Sequence, residues 1–359
     1  MTDADYMRLA LELAERGLET VRPNPMVGAV AVREGRIVGQ GYHPGPGQPH
    51  AEVFALSSVG ESARGVTLYV TLEPCCFAGR TPACTELIIQ KRVSRVVCAM
   101  EDPDARVSGR GVARLGEAGI RVEVGLLAEQ ARRLNEVYTK HRTCGLPFVT
   151  LKLAQTLDGR IASSSGDSRW ITSKASRAYA HRLRARVDAV LVGAGTVRAD
   201  DPELSVRHVA GRNPVKIVLD SGLRICTRAK VFAGAPLVVA AAEGVLRERQ
   251  KAVVAAGARV WQVPAVQGRP RIRDVLARAA AENLIHVLVE GGGQVAASAL
   301  REGLVDRMAV FIAPKIMGGG IPAVGDLGID RVVEAVELEE VEVERIGADL
   351  FCTARVRRQ

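Results

Sequence analysis

The chain has 359 residues, 47% hydrophobic and 25% charged, with 49 Lys and Arg against 40 Asp and Glu for a formal net charge of +9. This composition excludes a disordered chain, a coiled coil and a collagen, and no run of about 18 uncharged apolar residues offers a membrane span. The length suggests two domains at roughly 100–200 residues each. The charge fits either a basic solvated surface or an anionic partner, and the seven Cys, with no export signal in the opening residues, read as reduced thiols of a cytoplasmic protein.

In chain order, Tyr6, Leu9, Leu13 and Leu18 recur at helical spacing, and Pro23 and Pro25 end that helix. Residues 27–32 read as a buried strand, 33–36 as a turn into Ile37 and Val38, 52–56 as the start of a helix and 66–72 as a strand. A stretch rich in Pro, Cys and Gly follows, then a helix at 85–91, a strand at 95–99, a helix at 111–119 and a strand at 121–124. The texture changes at 143–147, where Cys144-Gly145-Leu146-Pro147 reads as a linker, so the domains are expected at 1–144 and 148–359. The second half opens with a strand at 148–153. Further strands are expected at 189–192, 215–219, 237–241, 286–290 and 308–313, with helices at 176–185, 247–256, 272–283 and 295–302. Alternation of strands and helices in both halves argues layered α/β domains.

Three segments of the first half carry chemistry: Pro49-His50-Ala51-Glu52, Glu73-Pro74-Cys75-Cys76 and Pro82-Ala83-Cys84. One imidazole and two thiolates leave a tetrahedral zinc ion one open position for water, the catalytic rather than the structural pattern. His50, Cys75 and Cys84 are the expected ligands, and Glu52, two residues past His50, is the expected proton shuttle. Zinc deaminases carry His-x-Glu followed by Pro-Cys-x-x-Cys; here Cys84 lies farther from Cys75 than that pattern has it. A closed structural site completed by Cys76 or His43 is the competing reading. Cys98, Cys144, Cys226 and Cys352 read as packing residues.

The run from Thr71 to Cys84 resembles the deaminase half of the bifunctional deaminase/reductase family of riboflavin biosynthesis. Asn24 between Pro23 and Pro25, Gly41-Tyr42-His43, Asp102-Pro103 and Gly109-Arg110-Gly111 are similar to that family's other landmarks. The resemblance implies an N-terminal cytidine deaminase-like three-layer α/β/α domain. It also implies substrate contacts at Asn24, His43, Arg80 and Asp102, with Arg80 meeting a phosphate. Two positions depart from the commonest pattern: Phe77 stands where His is usual, and Asp104 where Asn is usual.

In the second half a strand ending at Glu290 runs into Gly291-Gly292-Gly293 and a helix, an arrangement that can cradle phosphates. It lacks the full Gly-x-Gly-x-x-Gly fingerprint. Lys152-Leu153-Ala154, Ser168-Arg169-Trp170, the run from Gly195 to Pro202, Asp220-Ser221 and Ala313-Pro314-Lys315 resemble the reductase half of the same family. The resemblance, weakest over 225–280, implies a C-terminal dihydrofolate reductase-like α/β domain that uses NADPH. Implied NADPH contacts are Ala154, Trp170, Thr196, Asp200, Ser221 and the turn Gly292, Gly293, Gln294, Val295, Ala296, Ala297, Ser298. Implied substrate contacts are Lys152, Ser168, Arg184, Leu204, Arg207 and Glu290. Arg184 and Arg207 are expected to grip a phosphate, and Lys152 with Glu290 to move a proton.

The expectation is therefore a bifunctional enzyme with one zinc per chain and NADPH, acting on a small phosphorylated pyrimidine. Family precedent adds a homo-oligomer. A nucleic-acid base deaminase is disfavoured because aromatics are only 4%, leaving few stacking platforms. Neither a nucleic acid nor a membrane is expected as partner. A structural zinc protein with a nucleotide-sensing domain is the non-catalytic rival.

Overall fold

The computed structural model describes residues 1–79 and 81–357. The chain divides into two units, Met1–Gly145 and Leu146–Gln359. In chain order the first contains α1 (Asp3–Glu15), β1 (Gly28–Arg33), β2 (Arg36–Tyr42), α2 (Ala51–Ser57), β3 (Val66–Val70), α3 (Cys84–Gln90), β4 (Arg95–Cys98), α4 (Arg110–Glu117), β5 (Arg121–Val124), α5 (Ala128–Leu134) and α6 (Glu136–Cys144). Its five-stranded sheet has the order β2-β1-β3-β4-β5. The β1–β2 and β1–β3 pairs are antiparallel, and β3, β4 and β5 run parallel.

Thr2 and Asp5 form a reciprocal capping box that starts α1. Tyr6, Met7, Ala10 and Leu13 pack into a core built on Val30, Leu68, Val70 and Val96. Helix α2 lies so close on β2 that a Cβ at Gly39 would meet the Ala55 carbonyl oxygen at 1.9 Å, and one at Gly41 the Phe54 Cβ at 2.2 Å. Only glycines admit that approach, and the approach fixes where the N-terminus of α2 stands.

The second unit contains β6 (Phe148–Thr156), β7 (Arg160–Ala162), α7 (Lys174–Ala185), β8 (Ala189–Gly193), α8 (Ala194–Asp200), β9 (Val215–Leu219), β10 (Leu237–Ala242), α9 (Arg247–Ala255), β11 (Arg259–Val263), β12 (Ala265–Val266), β13 (Arg269–Pro270), α10 (Ile272–Ala281), β14 (His286–Val289), α11 (Gly293–Arg301), β15 (Arg307–Ala313), β16 (Ile321–Pro322), β17 (Leu338–Ile346) and β18 (Asp349–Val356). Nine strands form one sheet in the order β11-β10-β9-β8-β14-β6-β15-β18-β17. It is parallel from β11 to β15, and β18 and β17 add an antiparallel hairpin. Val149, Leu151 and Leu153 of β6 face one core with Leu191, Val287 and Val289, while Val190 and Val192 of β8 face another. The chain winds outward from β6 through β8 to β11, then returns to insert β14 between β8 and β6. That reversal lies beside the carboxyl ends of β8, β14 and β6, and ligands of such sheets bind at such a switch point.

Several elements differ from expectation. Residues 338–346 and 349–356 pair as strands that hydrophobic patterning did not reveal, because β17 is a Glu-rich outer strand with almost every residue exposed. Cys98 is buried, but Cys144 and Cys226 are exposed, so packing does not account for those two.

Candidate active sites

In the first unit His50 is the N-cap of α2, Glu52 lies in that helix's first turn, and Cys84 opens α3. Two helix starts and the loop carrying Cys75 thus converge. The ligand atoms of His50, Cys75 and Cys84 all lie within 4.8 Å of one another. His50 Nδ1 stands 3.2 Å from Cys84 Sγ and 3.5 Å from Cys75 Sγ. This triangle suits a tetrahedral ion about 2.0–2.3 Å from each donor. His50 Nε2 lies 3.2 Å from Thr81 Oγ1, a contact that orients the ring with Nδ1 toward the thiols. Cys76 takes no part; its Sγ faces the Arg106 carbonyl oxygen at 3.9 Å. His43 is held by Asn24 Nδ2 at 3.0 Å on Nε2 and by the Pro49 carbonyl at 3.1 Å on Nδ1, so both ring nitrogens are committed elsewhere. The closed-site reading loses both of its candidate fourth ligands.

Glu52 is buried, and its Oε2 has no hydrogen-bond partner. Burial, reinforced by the Cys75 charge, raises its pKa to about 6. The hydrogen bond from Cys84 pulls the Cys75 thiol down to about 4, and the same contact pushes Cys84 well up. A buried, unpartnered carboxylate oxygen beside a His/Cys/Cys triangle is what an ion with a water ligand would satisfy.

Sequence reasoning gave no role to Glu73, yet it fastens this wall of the site. Its carboxylate accepts from the Asp102 N–H at 3.1 Å, the Gly109 N–H at 3.0 Å and the Val112 N–H at 3.0 Å. A Cβ at Gly111 would meet the Pro74 carbonyl oxygen at 2.1 Å, so the Gly109-Arg110-Gly111 run reflects close packing of α4 on the Cys75 loop. Asp102 accepts from the Tyr138 hydroxyl at 3.1 Å and is raised to about 6 by burial. Asp104 grips Arg106 at 2.6 Å, and the Arg106 guanidinium lies 5.1 Å over the Phe77 ring. The two positions that depart from the family pattern are thereby tied together. Arg80 lies outside the described residues.

In the second unit Glu290 follows β14 directly, with its side chain about 9% exposed. Arg184 of α7 meets it with two parallel contacts, 2.9 Å and 3.0 Å, and Lys152 of β6 stands 3.7 Å away. Burial alone would raise the Glu290 pKa; Arg184 and Lys152 outweigh it and hold the group near 2. The guanidinium of Arg184 is therefore spent on Glu290 and on the Ser205 carbonyl at 2.7 Å, which differs from the expected phosphate grip. Arg207 is about half exposed and pairs with Glu203 at 2.6 Å. Leu204 is a core side chain, so its backbone is what it offers a ligand.

Thr196 and Gly292 come together: Thr196 Oγ1 is the nearest atom, at 3.9 Å, to where a Gly292 Cβ would sit. Gly292 is the N-cap of α11, whose first residues are Gly293 to Ser298. Ser168 Oγ donates to Asp200 at 3.1 Å. Trp170 is 62% exposed, with the Arg177 guanidinium 4.3 Å over its ring. Ala154 follows Lys152 on the same face of β6, and Ser221 follows β9.

Comparison with known proteins accords with this geometry. The cytidine and deoxycytidylate deaminase zinc-binding region family matches residues 1–100, and the RibD C-terminal domain family matches residues 147–352. The riboflavin biosynthesis protein RibD of Aquifex aeolicus is 48% identical over 97% of both chains, and that of Escherichia coli K12 is 39% identical over 98% of both. The Acinetobacter baumannii RibD structure superposes with a TM-score of 0.89 at 35% identity, covering 99% of each chain. A deaminase/reductase of Thermotoga maritima gives 0.85 at 37% identity, covering 99% of this chain and 98% of its own. The first unit is thus cytidine deaminase-like and the second dihydrofolate reductase-like. The chain belongs to the bifunctional deaminase/reductase family of riboflavin biosynthesis, with a zinc-binding deaminase half and a reductase half.

Proposed function

We propose that residues 1–144 deaminate 2,5-diamino-6-(5-phosphoribosylamino)pyrimidin-4-one, and that residues 148–359 use NADPH to reduce the ribosyl chain of the product to ribityl. The first reading is carried by the His50, Cys75, Cys84 triangle with the unpartnered Glu52 oxygen beside it. Zinc, when bound, supplies the Lewis acidity that makes water a nucleophile at neutral pH. Glu52 takes the proton of the attacking water and passes it to the leaving amine, which departs as ammonia. Asp102 and Asn24 orient the pyrimidine, His43 holds the Asn24 amide in place, and Arg80 meets the phosphate.

In the reductase half NADPH, when bound, supplies a hydride. The turn from Gly292 to Ser298, with Ala154, Trp170, Thr196, Asp200 and Ser221, would hold it. Lys152 is the proton donor for opening the ribosyl ring. Glu290, kept ionised by Arg184, orients Lys152 as its proton-transfer partner. Ser168, Arg207 and the backbone at Leu204 bind the substrate. Exposed Val341 and Val343 on the outer strand β17 support a homo-oligomer. Free cysteines throughout suit a cytoplasmic setting, and among the described residues no helix is long and apolar enough to cross a membrane.

The test supplies the diaminopyrimidinone to zinc-loaded enzyme and follows ammonia and NADPH separately. Ammonia first, then NADPH oxidation, is the expected order. Ammonia release without subsequent NADPH oxidation would remove the reductase assignment.

A further inference from the structure

Three side chains hold three successive backbone groups in the segment 203–208. Arg184 Nη1 donates to the Ser205 carbonyl at 2.7 Å. Asn213 Oδ1 accepts from the Val206 N–H at 2.6 Å. His181 Nδ1 accepts from the Arg207 N–H at 3.1 Å. His181 and Arg184 sit one turn apart on α7. The segment needs such restraint, because Leu204 and His208 both adopt left-handed backbone, with φ of 54° and 68°. A side chain with a Cβ resists that conformation, and it persists where surrounding contacts over-determine it.

His181 is buried, and the His208 ring packs edge-on against it at 5.0 Å between centroids. An Nδ1 that accepts from a backbone N–H carries no proton, so the ring is the neutral tautomer with its proton on Nε2. The fixed segment ends on Arg207, whose guanidinium projects into solvent beside Glu203.

We propose that His181 is a positioning residue of the reductase site: its Nδ1 holds the Arg207 backbone so that the Arg207 guanidinium meets an anionic group of the substrate. The inference rests on reading Arg207 as a substrate contact. His181 itself touches no substrate. Its Nδ1 also lies 3.4 Å from Arg184 Nη1, but Arg184 holds Glu290 through Nε and Nη2, so replacing His181 weakens binding and leaves the chemical step in place.

The test uses the full-length, zinc-loaded enzyme and measures KM and kcat for NADPH oxidation with the deaminated ribosylamino substrate. Ammonia release by the same preparations serves as an internal control. For His181→Leu we expect KM to rise about tenfold, the scale of one lost hydrogen bond, with little change in kcat. His181→Asn puts an acceptor oxygen close to the Nδ1 position and should restore KM; His181→Gln, whose acceptor lies one bond farther out, should not. Arg207→Ala should raise KM further. An unchanged KM in His181→Leu, or equal impairment in the Asn and Gln variants, overturns the inference. If Arg207→Ala raises KM while His181→Leu does not, the inference alone falls. If neither raises KM, the reading of Arg207 falls with it. Should the Leu variant fail to fold, the Asn and Gln pair decides.

Discussion

The two halves of the chain build their sites in opposite ways. In the first, the His/Cys/Cys cluster and Glu52 lie at the starts of two short helices and in one loop, within residues 50–84. Metal chemistry dictates residue type and spacing together, so the site is compact in sequence as well as in space. In the second, Lys152, Arg184 and Glu290 meet from three elements spread over more than a hundred residues. An ion-pair network fixes charge, not spacing. A cluster of metal-ligand type is written locally, whereas a cluster assembled across a sheet is written by topology, where the sheet order reverses.

Removing one ligand or the shuttle should break the first site most severely. Glu52→Gln should cut ammonia release by about 10²–10⁴-fold, the range of general acid–base catalysis, while zinc measured per chain is unchanged. A structural zinc centre would show no such loss. Cys84→Ser should lose zinc as well as ammonia release, as metal analysis of the purified variant would show.

In the second half the largest effect should follow Glu290→Gln, which strands Arg184 and Lys152 without a buried counter-charge. Breaking a buried pair costs about 3–5 kcal/mol, readable as a lower denaturant midpoint for the reductase half. The pH dependence has a definite sign. The folded Glu290 pKa lies below the ordinary carboxylate value, so the stabilisation is fully present above about pH 4.5 and is lost as pH falls toward 2. A pH series of unfolding curves should show that slope in the wild type and a smaller one in the variant. A smaller effect is expected at the first site's packing. Gly111→Ala forces a Cβ against the Pro74 carbonyl and should destabilise by about 1–3 kcal/mol in thermal unfolding.

The legibility of the sequence follows the same division. His50, Cys75, Cys84 and Glu52 were readable because a thiolate pair and a His-x-Glu step have few other uses. Glu73 was not, since its three contacts are to backbone N–H groups 29 to 39 residues away, and no side-chain pattern marks them. Strands 215–219 and 121–124 were readable from short apolar or alternating runs, and the structure has them at those bounds. Strand β17 was not, because its Leu-Glu-Glu-Val-Glu-Val-Glu run buries neither face. Arg184 stands out in the sequence as a candidate, but no pattern there shows that the structure pairs it with Glu290.

If one chain holds two active sites that work separately, Glu52→Gln should silence one and spare the other. The variant is loaded with zinc and given, in turn, the diaminopyrimidinone and its already deaminated product, with ammonia and NADPH followed. The account predicts bound zinc, almost no ammonia from the first substrate, and NADPH oxidation at the wild-type rate with the second. Undiminished ammonia release, or loss of NADPH oxidation with the deaminated substrate, would contradict it.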